Sequence, residues 1–215
     1  MFGVAKQALI WGVVASFAVA GAQAHAIKVK GKANPFLAGQ PAGTTCCSGD
    51  SAPAESPVLA LDDLQAGETL TFSTTGSVGF ERGSVAPTAD GYTNDVFNMT
   101  ADYGTGVSGP LNVNTSGLVG VFTNGTQPVD PAPAQLNSGV SFKTLSPGLN
   151  QIFWIGDGLT GTGTGKRQKF IVPTGAATLY LGVADGFGWA NNPGKITVKI
   201  HAKPAQAARL REPAP

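Results

Sequence analysis

Asp185, Asn191 and Asn192 are the side chains whose types and spacing point most directly to chemistry. They lie in Asp185-Gly186-Phe187-Gly188-Trp189-Ala190-Asn191-Asn192-Pro193-Gly194, a stretch holding one carboxylate, two adjacent carboxamides and three glycines. Glycine lets a loop turn its own carbonyls inward, so side-chain and backbone oxygens can converge on one point. An all-oxygen set suits calcium, a hard cation that takes roughly six to eight such ligands. Phe187 and Trp189 put apolar surface beside that set, and either ring could lie against a ligand. For Trp189 core packing beneath the loop is the equal alternative. For Asn191 and Asn192 it is a turn held by local hydrogen bonds before Pro193.

The segments on either side must position the loop. Thr178–Ala184 alternates with period two, setting Leu179, Leu181 and Val183 on one face. Lys195–His201 does the same with Ile196, Val198 and Ile200, turning Lys195, Thr197, Lys199 and His201 outward. The expectation is a last hairpin with the oxygen-rich loop at its tip. Upstream, strands are expected at Ala26–Lys30, Val58–Leu61, Thr69–Thr75, Leu118–Thr123 and Gln151–Ile155, with a further one at Val140–Phe142. Leu118–Thr123 is apolar on both faces and should be buried, with Gly120 permitting close backbone approach. Between these segments, stretches rich in Gly, Pro, Ser and Asn read as long loops, and no helix-length amphipathic run appears. Gly156–Lys169 lacks the order of a nucleotide-binding loop and reads as a hairpin tip.

The pattern from Leu179 to Ile200 resembles the galactose-binding-like β-sandwich family of exported bacterial proteins, among them the calcium-dependent galactose-binding lectin of Pseudomonas. Asn34–Gly39, Ser51–Val58 and Phe170–Gly175 extend the similarity. The resemblance implies an all-β, galactose-binding-like antiparallel β-sandwich of jelly-roll type with long loops. It also implies a calcium site built from Asp185, Asn191, Asn192, a loop carbonyl such as that of Gly188, and an early backbone carbonyl at Leu64. In that family sugar hydroxyls complete the ion's shell. The His and Gln that contact galactose there have no counterpart here, and Asp102, Tyr103 and Asn112 are the polar residues available in their place.

Residues 8–20 are apolar, Lys6 precedes them, and Ala22-Gln23-Ala24 is a small-residue cleavage site, so residues 1–24 read as a signal peptide cut after Ala24 or Ala26. One β-sandwich domain, 25–202, and a disordered tail, 203–215, follow. The expected location is secreted, periplasmic or cell-surface, with no transmembrane anchor in the mature chain. Without Lys6 the chain carries 13 basic and 13 acidic residues. That balance provides no phosphate-neutralising patch, so no nucleic-acid partner is expected.

The only cysteines, Cys46 and Cys47, are adjacent. In an oxidising compartment a vicinal ring, an interchain bond and free thiols are all open, the ring being favoured slightly. Nucleophilic catalysis lacks a histidine beside a Ser or Cys, and zinc chemistry lacks a His/Cys cluster. Asp95, Asp102, Asp157 and Asp185 could pair for glycoside hydrolysis, but few acids fall beside aromatic residues. Asp62 and Asp63 read as a solvated turn. The chain is therefore read as a non-catalytic, calcium-binding, lectin-like module for glycans or cell-surface polysaccharide, with a homo-oligomer open. The alternative is a self-associating extracellular matrix protein that binds no sugar.

Overall fold

A computed structural model describes residues 26–205; the expected signal peptide, 1–24, and residues 206–215 of the expected tail lie outside them. In chain order the strands are β1 Ile27–Lys30, β2 Thr45–Cys46, β3 Asp50–Ser51, β4 Val58–Leu61, β5 Thr69–Val78, β6 Tyr92–Phe97 and β7 Val113–Thr115. Then come β8 Leu118–Thr123, β9 Thr144–Leu145, β10 Ile152–Trp154, β11 Leu159–Gly161, β12 Thr164–Arg167, β13 Lys169–Ile171, β14 Thr178–Val183 and β15 Gly194–Lys203.

The protein is all-β. A five-stranded sheet runs β1-β15-β5-β13-β9, a four-stranded sheet runs β10-β8-β14-β4, and β11-β12, β2-β3 and β6-β7 form three two-stranded ribbons. All ladders are antiparallel except β13 with β9. This differs from a simple two-sheet jelly roll, because the long loops fold into paired ribbons of their own. The two larger sheets share one core. Phe122 on β8 stacks on Phe153 of β10 with centroids 5.0 Å apart, and Phe153 meets Phe170 of β13 at 5.5 Å, joining the sheets.

Burial follows the sequence pattern closely. Every residue of β8 is buried, as expected of a strand flanked by β10 and β14 and covered on both faces. A Cβ on Gly120 would sit 2.6 Å from the Phe153 ring, so only glycine permits that approach. On β15, Ile196, Val198 and Ile200 are buried while Lys195, Lys199 and His201 are exposed.

Three expectations change. The strands flanking the oxygen-rich loop do not form a hairpin: β14 pairs with β8 and β4, whereas β15 pairs with β1 and β5. The loop is therefore a crossover from one sheet to the other. Val140–Phe142 is not a strand, and the pairing falls instead at Thr144–Leu145. The last strand runs to Lys203, one residue into the expected tail, because its ladder with β5 continues to Thr69. Cys46 and Cys47 form the vicinal disulfide, inside a tight turn joining β2 to β3.

Candidate functional site

Buried β14 delivers the chain to Asp185, which is 6% exposed. Its Oδ1 accepts from the backbone N–H of Gly186 at 2.6 Å and of Phe187 at 3.3 Å, turning the chain sharply. Its Oδ2 accepts from Asn192 Nδ2 at 2.7 Å. The N–H of Asn192 donates to the Trp189 carbonyl at 3.0 Å, closing the far end of the loop. Asn192 Nδ2 also lies 3.4 Å from the Gly31 carbonyl, just beyond β1. Asn192 Oδ1 is buried and has no hydrogen-bond partner. Such an orphaned acceptor has lost water without replacement, a cost of about 1–3 kcal/mol.

A second carboxylate, Asp50, holds the middle of the loop. Its Oδ2 accepts from Trp189 N at 2.7 Å and Asn34 Nδ2 at 3.0 Å, and its Oδ1 from Ala190 N at 3.2 Å. Asp50 follows the disulfide turn, and Ser48 of that turn packs against Gly188, whose φ of +83° requires glycine. The ring residues, Asp50 and the loop thus form one unit. Asp50 was not among the residues singled out in the sequence. Its only local signal is its place directly after Cys46-Cys47-Ser48-Gly49.

Burial pushes the carboxyls of both Asp50 and Asp185 above the ordinary range, against the N–H donors that pull them down. The charge of Asp50 raises Asp185 further. No basic side chain compensates them; the ion pair found among the described residues is Lys32–Glu55 at 3.8 Å. The oxygens of both buried carboxylates accept from N–H donors, and the acceptor left over in this cluster is Asn192 Oδ1. Among the described residues no group of three or more His, Cys, Asp or Glu gathers at one point, so carbonyl and carboxamide oxygens would have to supply most of a shell.

The remaining expected residues separate clearly. Asn191 is exposed and Gly188 half-buried, both on the loop with Asp185 and Asn192. Leu64 is at the wrong end. Its N–H donates to the Ala177 carbonyl before β14 begins, about 25 Å of extended chain from Asp185. Asp62 and Asp63 beside it are exposed, the solvated turn expected. The early-strand carbonyl that does reach the loop is that of Gly31. Trp189 is fully buried, with Nε1 donating to Val183 O at 2.8 Å and its ring edge-on to Phe36 at 5.9 Å. It is a core residue and presents no face to a ligand. Phe187 is 69% exposed and does.

Of the three stand-in polar residues only Tyr103 meets the loop. Its hydroxyl donates to Gly186 O at 2.8 Å and accepts from Thr100 Oγ1, while its ring packs edge-on against Phe36. Asp102 caps Gly104 N, and Asn112 bonds Asn98 and Asn137. Comparison of the chain with family models, with curated proteins and with solved structures finds no match.

Proposed function

We propose that the crossover loop 185–194 binds calcium and that the protein is an exported, non-catalytic glycan-binding module with a galactose-binding-like sandwich as its core. The observation that carries this reading is the unpartnered Asn192 Oδ1 next to Asp185, in a site with two carboxylates and no cationic side chain. Asp185, Asn192, Asn191 and the carbonyls of Gly188 and Gly31 would hold the ion. Bound calcium supplies fixed positive charge and open coordination positions for vicinal hydroxyls. The chain's own part is to keep the loop closed through Asp50, to lend Phe187 as an apolar platform, and to exclude water beneath it with Trp189. Export rests on the apolar leader ahead of Ala24 and on the paired cysteines, which an oxidising compartment keeps joined. Among the described residues no helix is long and apolar enough to cross a membrane.

The test is thermal unfolding with calcium and with chelator. Free calcium at 100 times its dissociation constant contributes about 2.7 kcal/mol, a rise of roughly 5–10 °C for a chain of this size. Asp185→Ala should remove that rise, and retention on a glycan surface should vanish with chelator. A melting temperature indifferent to calcium would end the reading in favour of a self-associating matrix protein.

A further inference from the structure

A third buried aspartate at this end of the molecule belongs to none of the machinery above. Asp90 is 6% exposed, and its Oδ1 accepts from the Asp157 N–H at 2.8 Å. Its Oδ2 is buried and has no partner. Asp90 lines a pocket of about 230 Å³ with Asn114 and Trp154 at the base and Thr93, Val96 and Thr162 toward solvent. Asn114 Nδ2 donates to the Asp90 carbonyl at 2.9 Å, which fixes the backbone under the carboxylate. The β6–β7 ribbon separates this pocket from the Asp185 loop: Phe97 lies against Gly186, while its neighbour Val96 faces the pocket.

The chemistry narrows the occupant. No Lys, Arg or His lines the pocket, so the Asp90 charge is met by nothing of opposite sign. A metal ion is poorly served, because Asp90 offers one free oxygen and both oxygens of nearby Asp157 are committed to Leu159 N and Gly163 N. An ammonium group needs only such an oxygen, donates hydrogen bonds to it and neutralises it. Threonine hydroxyls near the opening suit a hydroxylated body. The volume lies below the roughly 300–1,000 Å³ of drug-sized sites, which limits the occupant to one small ring.

We infer that the Asp90 pocket is a binding site for a small hydroxylated primary amine, of the amino-sugar class, with its ammonium on Asp90 Oδ2. Burial raises the Asp90 carboxyl and the charge of Asp157 adds to this, against the Asp157 N–H and the Thr162 and Thr88 hydroxyls that pull it down, so a cationic partner relieves a standing cost.

The test is calorimetric titration of the full chain with glucosamine hydrochloride below neutral pH, in chelator so that any calcium site is silent. Glucose and N-acetylglucosamine serve as neutral controls. Glucosamine should bind at least tenfold tighter than either. Asp90→Asn should weaken it about ten- to a hundredfold while leaving the calcium-dependent melting shift in place. Val96→Lys, at a position 56% exposed, should block the opening without endangering the fold. Equal affinity for the three sugars, no heat from any of them, or glucosamine binding that survives both substitutions would overturn the inference. Loss of the calcium response alone would leave it standing.

Discussion

Asp185 and Asp90 are both 6% exposed, and both lie at the end of the sheets where β14 gives way to the crossover loop. Their surroundings differ in one respect. Asp185 has three donors spread over both oxygens, all from its own loop, and the unsatisfied atom is the neighbouring carboxamide oxygen of Asn192. Asp90 has a donor on one oxygen only. A carboxylate bonded on both oxygens by its own loop organises that loop and can meet a cation only as one member of a shared oxygen set, whereas one left half-bonded in a pocket has a whole oxygen to spare for something outside the chain. The buried acid alone does not separate these roles; the count of its partners does.

The contrast can be broken most severely at Asp50, the organiser's organiser. Asp50→Ala strands Trp189 N and Ala190 N, leaves Asn34 Nδ2 with only the Cys46 sulfur, and should cost about 3–5 kcal/mol in urea unfolding, with the calcium response lost as well. A cost below about 1 kcal/mol would mean the loop closes without it.

The two loop aromatics sharpen the same contrast at smaller amplitude. Trp189→Phe removes the bond to Val183 O and leaves a void in the core, so unfolding should be easier by about 1–3 kcal/mol. Phe187→Ala should change stability by less than about 0.5 kcal/mol yet weaken glycan retention, since that ring is exposed. Glycan retention that followed Trp189 and ignored Phe187 would invert the assignment.

The smallest effect is in pH dependence. Asp50, Asp90 and Asp185 all have folded-state values raised above the ordinary carboxylate 3.8. Between the ordinary value and the raised ones the folded protein binds more protons than the unfolded chain, so stability falls as pH rises through that window. Calcium should flatten the share due to Asp50 and Asp185. The slope that persists in calcium should then be shallower in Asp90→Asn, as denaturant midpoints between pH 4 and 7 would register. An unchanged slope would place the Asp90 proton balance elsewhere.

Much of the strand pattern was legible. Val58–Leu61 and Leu118–Thr123 appear with the expected bounds, and β14 and β15 match theirs within one or two residues, because period-two alternation and double-sided apolarity depend only on the local pleat. Tyr92–Phe97 was less visible: most of its residues are exposed, so no buried face imposes a pattern. Val140–Phe142 misled because its apolar residues cover the core from a loop. Within the site, Asp185 and Asn192 do come together, while Leu64 failed because the comparison rested on order along the chain and the two ends of β14 are far apart.

By itself the amino-acid order determined which side chains face inward, that the chain is β-rich, and which loop is stocked with oxygens, since each follows from neighbours a few residues apart. Tertiary structure alone decided that β14 and β15 belong to different sheets, that Trp189 goes under the loop and Phe187 stays out, and that Asp50 supplies the loop's missing acceptors from 139 residues away. Those outcomes turn on which distant groups remain unpaired once the sheets have formed, and hydrogen-bond demand of that kind leaves no period in a sequence.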